Sequence, residues 1–215
     1  NRIYVGLNKQ TRMWVVDADI SGCFDNIDHT YLLDTLKDFP AVYMVKRWLK
    51  AGIMYEGVWS EANGTPQGGI ISPLLCNIAL HGMEKELKVI TSPSGYLKGD
   101  RMFVRYADDF VVLCKSYSDA VLALEDAKIA LAKRGLEISE AKSRITHLVD
   151  GFDFLGFNIR LSAKDCLDPK KVFQLIQSKD GINFYQGFYK KDALLLIKPS
   201  TKGIKNFRKK VKEIF

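Results

Sequence analysis

Cysteine is scarce and never closely paired: Cys23, Cys76, Cys114 and Cys166 form no C-x-x-C motif, and each sits among apolar or mixed neighbours. That spacing argues against a zinc ribbon or a disulfide framework and reads as reduced core thiols in a cytosolic, non-secreted protein. Histidine is as thin, with His29, His81 and His147 isolated from one another, so none is expected to hold a metal. No secretory signal opens the chain, and no apolar run approaches the roughly 20 residues that cross a bilayer, so no membrane partner is expected. Asn63-Gly64-Thr65 matches a glycosylation acceptor, a match without meaning in a cytosolic protein. There is no P-loop, no H-E-x-x-H and no G-x-S-x-G, so none of those chemistries competes for the chain. Internal repeats and low-complexity tracts are also missing. The chain starts at Asn1 without a methionine and ends at Phe215 inside a basic helical pattern, so a piece of something longer is expected.

What is present is a globular composition with a basic excess. Of the 215 residues 47% are hydrophobic and 27% charged, and the formal net charge is +7. That charge suggests a polyanionic partner, nucleic acid before an anionic membrane surface, although solvated lysine faces give the same number. Residues 13–20 (MWVVDADI) alternate as a strand, with Asp17 and Asp19 on one face. Helices are expected over 29–37 and 40–51, the second between Pro40 and Gly52. Residues 64–69 read as a loop, Ser72-Pro73 as the start of a helix running to about Val89, and 91–100 as a linker. Residues 102–115 (MFVRYADDFVVLCK) read as a hairpin, followed by a helix capped by Ser118 and ending at Gly135. Strands are expected at 136–139, 144–149 and 152–161, and a second hairpin at 172–189 turning at Lys179-Asp180-Gly181. From Ser200 a helix presents Ile204, Phe207, Val211 and Ile214 on one side and Lys202, Lys205, Arg208, Lys209 and Lys212 on the other. Strands and helices without strict alternation give an α+β fold, an antiparallel sheet backed by helices.

Asp108 and Asp109 are an odd pair for a hairpin tip. Adjacent carboxylates repel, and a tight turn favours Asn-Gly or Asp-Gly. An acidic solvent-exposed turn is the plain reading. A second acidic strand carrying Asp17 and Asp19 favours a convergent site instead. Carboxylates at the ends of neighbouring strands bind hard divalent cations, Mg²⁺ above all. Two such ions about 3.5–4 Å apart can activate a 3′-hydroxyl and stabilise a departing pyrophosphate.

The residues then resemble a known family. Tyr106-Ala107-Asp108-Asp109 is similar to the YxDD box of reverse transcriptases, and residues 17–29 (DADISGCFDNIDH) resemble the first catalytic block of the group II intron-encoded members. Residues 65–78 (TPQGGIISPLLCNI) resemble their next block and 152–157 (FDFLGF) their primer grip. Retron and CRISPR-associated reverse transcriptases share these blocks. The resemblance implies a palm with partial fingers and the start of a thumb. Residues 1–29 would form the palm's first catalytic strand and 30–64 the fingers-side helices. Residues 65–161 would be palm with hairpin and primer grip, 162–199 a palm–thumb connection, and 200–215 the start of the thumb.

The resemblance also implies roles. Asp19, Asp108 and Asp109, with the Ile20 carbonyl, would hold two Mg²⁺ ions, or Mn²⁺. Phe24 would be an aromatic gate beneath the sugar, where the residues alone read a core phenylalanine. Gln67 and Gly68 would lie beside the incoming deoxynucleotide. Lys142 would neutralise or protonate the pyrophosphate, or else be a solvated lysine. Phe154, Leu155, Gly156 and Phe157 would form the primer grip. Lys202, Lys205, Arg208 and Lys209 would hold nucleic-acid backbone. Asp17 is not a ligand in the family, Asp25 and Asp28 read as caps, and Arg105 offers a backbone or phosphate contact without an assigned role. The implied partners are an RNA template, a DNA primer, dNTPs and an intron RNA, and the implied compartment is bacterial cytoplasm or an organelle. The family's outer fingers blocks have no counterpart before DADISGCF, so a missing segment or partner chain is expected. An RNA-binding maturase module that assists splicing is the competing reading.

Overall fold

The structure, a computed structural model, describes residues 3, 6–7, 11–55, 58–60, 64–65, 69–94, 97–163, 174–177, 183–186 and 193–214. At its centre two strand-forming runs lie side by side: β1 (Trp14–Ala18) pairs antiparallel with β6 (Asp109–Cys114), Trp14 facing Cys114 and Ala18 facing Phe110. Strand β5 (Met102–Tyr106) flanks β6 on one side and β8 (Arg144–His147) flanks β1 on the other, giving the order β5-β6-β1-β8.

The central strands are buried on both faces. Val16, Ala18, Phe110 and Val112 point into one core, and Val15, Val111 and Leu113 into a second. That is why DFVVLC is a continuous apolar run rather than an alternating one. The first core is closed by helices: α1 (Cys23–Asn26), α2 (His29–Thr35), α3 (Val42–Lys50), α4 (Ser72–Ala79), α5 (Met83–Glu86) and α6 (Tyr117–Ala132). The second is closed by β9 (Phe152–Phe154) and β10 (Phe157–Ala163) through Phe152, Phe154, Ile159 and Leu161.

Arg134 ties the helices together from inside. It is 1% exposed, donates to the carbonyls of Ala79 and Ala130, pairs with Glu86 at 2.6 Å, and lies over the Tyr31 ring. The remaining elements are short ladders, β2 (Ile20–Ser21) with β7 (Glu137–Ile138) and β3 (Ile53–Tyr55) with β4 (Val58–Ser60). A hairpin of β11 (Gln174–Gln177) and β12 (Asn183–Gln186) follows, then β13 (Ala193–Pro199) along β10, and finally α7 (Thr201–Ile214).

Several boundaries differ from the sequence reading. The helix expected up to Val89 is two helices, because Gly82 adopts a left-handed φ of 83° between α4 and α5. Ser116, not Ser118, caps α6 by accepting from the Asp119 amide at 3.2 Å. The strand expected over 152–161 turns back at Leu155-Gly156, where φ values of 50° and 81° match the type I′ pattern of tight hairpins. Asp28 caps α2 through the Tyr31 amide, while α1 has Gly22 at its cap and no side-chain cap from Asp25. Cys166 and the Lys179-Asp180-Gly181 turn lie outside the described residues.

Candidate active site

The end of the central sheet is where the chain departs from regular pairing. β1 stops at Ala18, and β2 begins one residue later in a different ladder. Asp19 occupies the break. Its amide donates to the Ser143 hydroxyl at 3.1 Å and its carbonyl accepts from the Ser139 amide at 2.8 Å, so the 139–143 segment satisfies both backbone groups. The same segment delivers Lys142, whose Nζ lies 3.1 Å from Asp19 Oδ2.

Across the sheet, β5 and β6 join through a two-residue turn of Ala107 and Asp108, with Tyr106 facing Asp109. Ala107 has φ 54°, a conformation that costs a non-glycine residue about 1–2 kcal/mol. Because Ala18 pairs with Phe110, the register brings Asp19 and Asp109 to the same end of neighbouring strands. The electrostatics record the crowding. The Asp109 carboxyl lies above its usual range, first through partial desolvation and then through the charges of Asp108 and Asp19, with Lys202 opposing. Asp17 lies above its usual range through burial, which outweighs the Arg144 guanidinium 3.3 Å away.

A cleft of about 480 Å³ opens here, lined by Asp17, Asp19, Asp109 and Lys142 on the sheet side. Leu155 and Gly156 of the β9–β10 turn form its opposite wall, with Ser200 and Lys202 at the start of α7. Gly156 and α7 are locked together: the Ser200 amide donates to the Gly156 carbonyl at 2.8 Å, and Ser200 Oγ caps the helix by accepting from Gly203. Phe154 is buried, and Leu155 and Phe157 are about half exposed. Of the α7 cations only Lys202 lines the cleft, while Lys205, Arg208 and Lys209 stand exposed further along the helix.

Ile20 is buried against the core, and Phe24 is half-buried with its ring on the same core. The Phe24 carbonyl accepts from the Thr65 amide at 2.6 Å, which ties α1 to the loop leading towards Gln67. A side chain at Gly64 would collide with that carbonyl, and His29 Nε2 contacts the Gly64 carbonyl at 2.8 Å. Gln67 and Gly68 themselves lie outside the described residues.

Three contributors were missed by sequence reasoning: Asp153, a fourth acid in the cleft, Ser143 on the Asp19 amide, and His29 on the Gly64 carbonyl. The only signal for Asp153 was its place inside FDFLGF.

The donor set suits a hard cation, being carboxylate oxygens whose mutual repulsion at Asp109 is only partly offset by Lys202. As they stand, no three His, Cys, Asp or Glu side chains among the described residues are gathered tightly enough to enclose an ion. Lys142 is instead the cation on Asp19.

An antiparallel sheet backed by helices, with Asp19 and Asp109 at one end beside a basic helix, is an α+β palm architecture. The comparisons make the class specific. Residues 5–159 match the family model described as reverse transcriptase (RNA-dependent DNA polymerase), and the chain belongs to that family. Its resemblance is to group II intron-encoded members. It is 31% identical over 209 residues to the group II intron-encoded protein LtrA of Lactococcus lactis, covering 69% of this chain and 35% of that protein. Against the protein YkfC of Escherichia coli it is 30% identical over 203 residues, covering 80% and 53%. The chain thus spans about a third to a half of these relatives. Among solved structures, apo telomerase from Candida tropicalis superposes with a TM-score of 0.57 at 15% identity, covering 74% of this chain and 33% of that one. Candida albicans telomerase with a fragment of telomeric RNA gives 0.55 at 13%. At such identity the likeness is one of fold.

Proposed function

We propose that this chain carries the nucleotidyl-transfer centre of an RNA-directed DNA polymerase encoded by a group II intron or related retroelement. The observation that carries the reading is the meeting of Asp19 with the Asp108-Asp109 turn at one sheet end, with Asp109 held above its usual range first by partial desolvation and then by its acidic neighbours. Asp19, Asp108, Asp109 and the Ile20 carbonyl are the groups that would hold Mg²⁺ or Mn²⁺. When bound, such ions supply activation of a primer 3′-hydroxyl and charge stabilisation of the leaving pyrophosphate.

The chain's own residues do the rest. Lys142 pairs with Asp19 in the free protein and lines the cleft, where its ammonium would meet the charge of a triphosphate. Phe24, fixed through its carbonyl by Thr65, excludes a 2′-hydroxyl by its ring, and Gln67 and Gly68 attend the nucleotide. Phe154, Leu155, Gly156 and Phe157 steady the primer end, and the α7 cations hold backbone phosphates of an RNA template paired to a DNA primer.

A second reading, an RNA-binding maturase module acting on intron RNA, is favoured by the intron-encoded relatives and the basic α7 face. The two are compatible on one chain. Primer extension on an RNA template with Mg²⁺ and dNTPs tests the first. Asp108→Ala is expected to abolish extension while leaving RNA binding intact. Extension that survives the substitution would overturn the role given to Asp108, and tight RNA binding with no extension by the parent protein at full length would transfer the assignment to the maturase role.

A further inference from the structure

The Ala107-Asp108 turn sits in a backbone conformation that alanine disfavours, so something outside the turn must hold it. Arg105, on β5 two residues before Ala107, donates from Nη1 to the Ala107 carbonyl at 2.7 Å. The same nitrogen donates to Asn77 Oδ1 at 2.8 Å, and Asn77 stands on α4. The guanidinium therefore spans from the turn's own carbonyl to a helix whose Leu75, Cys76 and Ala79 are buried in the core. A cross-strand pair at the hairpin end fixes only Tyr106 and Asp109, so the clamp reaches the one peptide that the ladder leaves unrestrained.

We propose that Arg105, braced by Asn77, is a positioning residue: it holds the left-handed Ala107 peptide and thereby fixes the turn that carries Asp108 and presents Asp109 to the cleft. The assignment rests on the polymerase reading of that site. It is distinct from a phosphate contact, in which the arginine would touch nucleic acid and the turn would hold its shape without it.

The test uses the full-length protein, with steady-state primer extension beside metal-free hydrogen exchange of the peptide spanning residues 104–110. Arg105→Gln is too short to bridge the turn and Asn77. It is expected to lower kcat about 10- to 100-fold, the range for a misaimed reacting group, with KM for primer–template unchanged. Exchange in the 104–110 peptide should quicken while the rest of the palm stays as in the parent. Asn77→Ala should shift both readouts the same way and less. Asn77→Asp, which keeps an acceptor, should restore them, and Arg105→Gln with Asn77→Ala should be no worse than Arg105→Gln alone. A raised KM for primer–template at unchanged kcat, with turn exchange unaltered, overturns the clamp in favour of a phosphate contact. Parental kcat and exchange in Arg105→Gln overturn it outright. If the parent extends no primer, the polymerase reading fails, and the exchange comparison alone decides whether Arg105 holds the turn.

Discussion

His147 closes the edge strand β8 with 6% of its surface exposed, its ring edge-on to Trp14 at 4.9 Å. Burial pushes its imidazolium down from 6.5 to about 4, since the apolar setting disfavours the charged form more than nearby Asp150 favours it. A depressed folded-state value means the stabilising contribution is present above pH 6.5 and is lost as pH falls towards 4. Asp17 and Asp109 work in the opposite sense. Their values are raised in the fold, so their repulsion and desolvation weigh most at neutral pH and ease in acid. Comparing the parent with His147→Gln separates the two. The melting temperature of the parent is expected to drop relative to the variant between pH 7 and 4.5, and parallel curves would show that His147 titrates alike in the folded and unfolded states. Residues of this kind were hard to read from sequence. His29, His81 and His147 look alike on the page, and only packing makes one a brace for the Gly64 carbonyl and another a buried neutral ring.

At the level of elements, the cleft depends on how α7 meets the β9–β10 turn. Gly203 and Gly156 touch there, and a Cβ on Gly203 would stand 2.5 Å from the Gly156 carbonyl oxygen, a backbone atom that cannot swing away. Gly203→Ala is therefore expected to lever α7 off the turn and shift Lys202 away from Asp109. Primer–template KM should rise several-fold, while melting of the palm core, which excludes α7, changes little. An unchanged KM would mean that the helix is seated by contacts other than this one. Local signals gave the existence of α7 and its Ser200 start, together with the β5–β6 hairpin. They missed the breaks. The Leu155-Gly156 turn lies within a run that reads as one strand, because a leucine at φ 50° carries no warning in its side chain. The Gly82 break was better marked, yet Leu80, Met83 and Leu87 continue an apolar pattern through it and disguise two helices as one.

The whole molecule carries a net charge of +7, concentrated near its end on a helix whose cations face solvent. Of the four α7 cations named for backbone contact, Lys209 makes an i,i+4 pair with Glu213 at 3.9 Å, an exposed pair worth little to stability. Replacing Lys202, Lys205, Arg208 and Lys209 by glutamine should weaken RNA binding uniformly across sequences. It should also flatten the dependence of log affinity on log salt, by about one unit of slope for each phosphate that is no longer neutralised. A salt slope identical to the parent's would show that the polyanion lies elsewhere. No helix among the described residues is long and apolar enough to cross a membrane.

The sequence by itself determined the α+β class, the acidic pair Asp108-Asp109 and the basic helix, because each is written in a local pattern: alternation, an acidic pair between apolar strands, a helical repeat of lysines. Asp19 was set apart from Asp17 only by the family resemblance. Tertiary structure alone decided what those pieces do to one another. Register made Asp19 a neighbour of Asp109, a switch between two ladders turned Asp19 towards Lys142, and packing brought Asp153, Asn77 and Gly203 to a site they adjoin in space but not in sequence. The physical reason is separation along the chain. The Asp19–Lys142 pair spans 123 residues and the Arg105–Asn77 bond 28, distances over which no propensity or periodicity carries information.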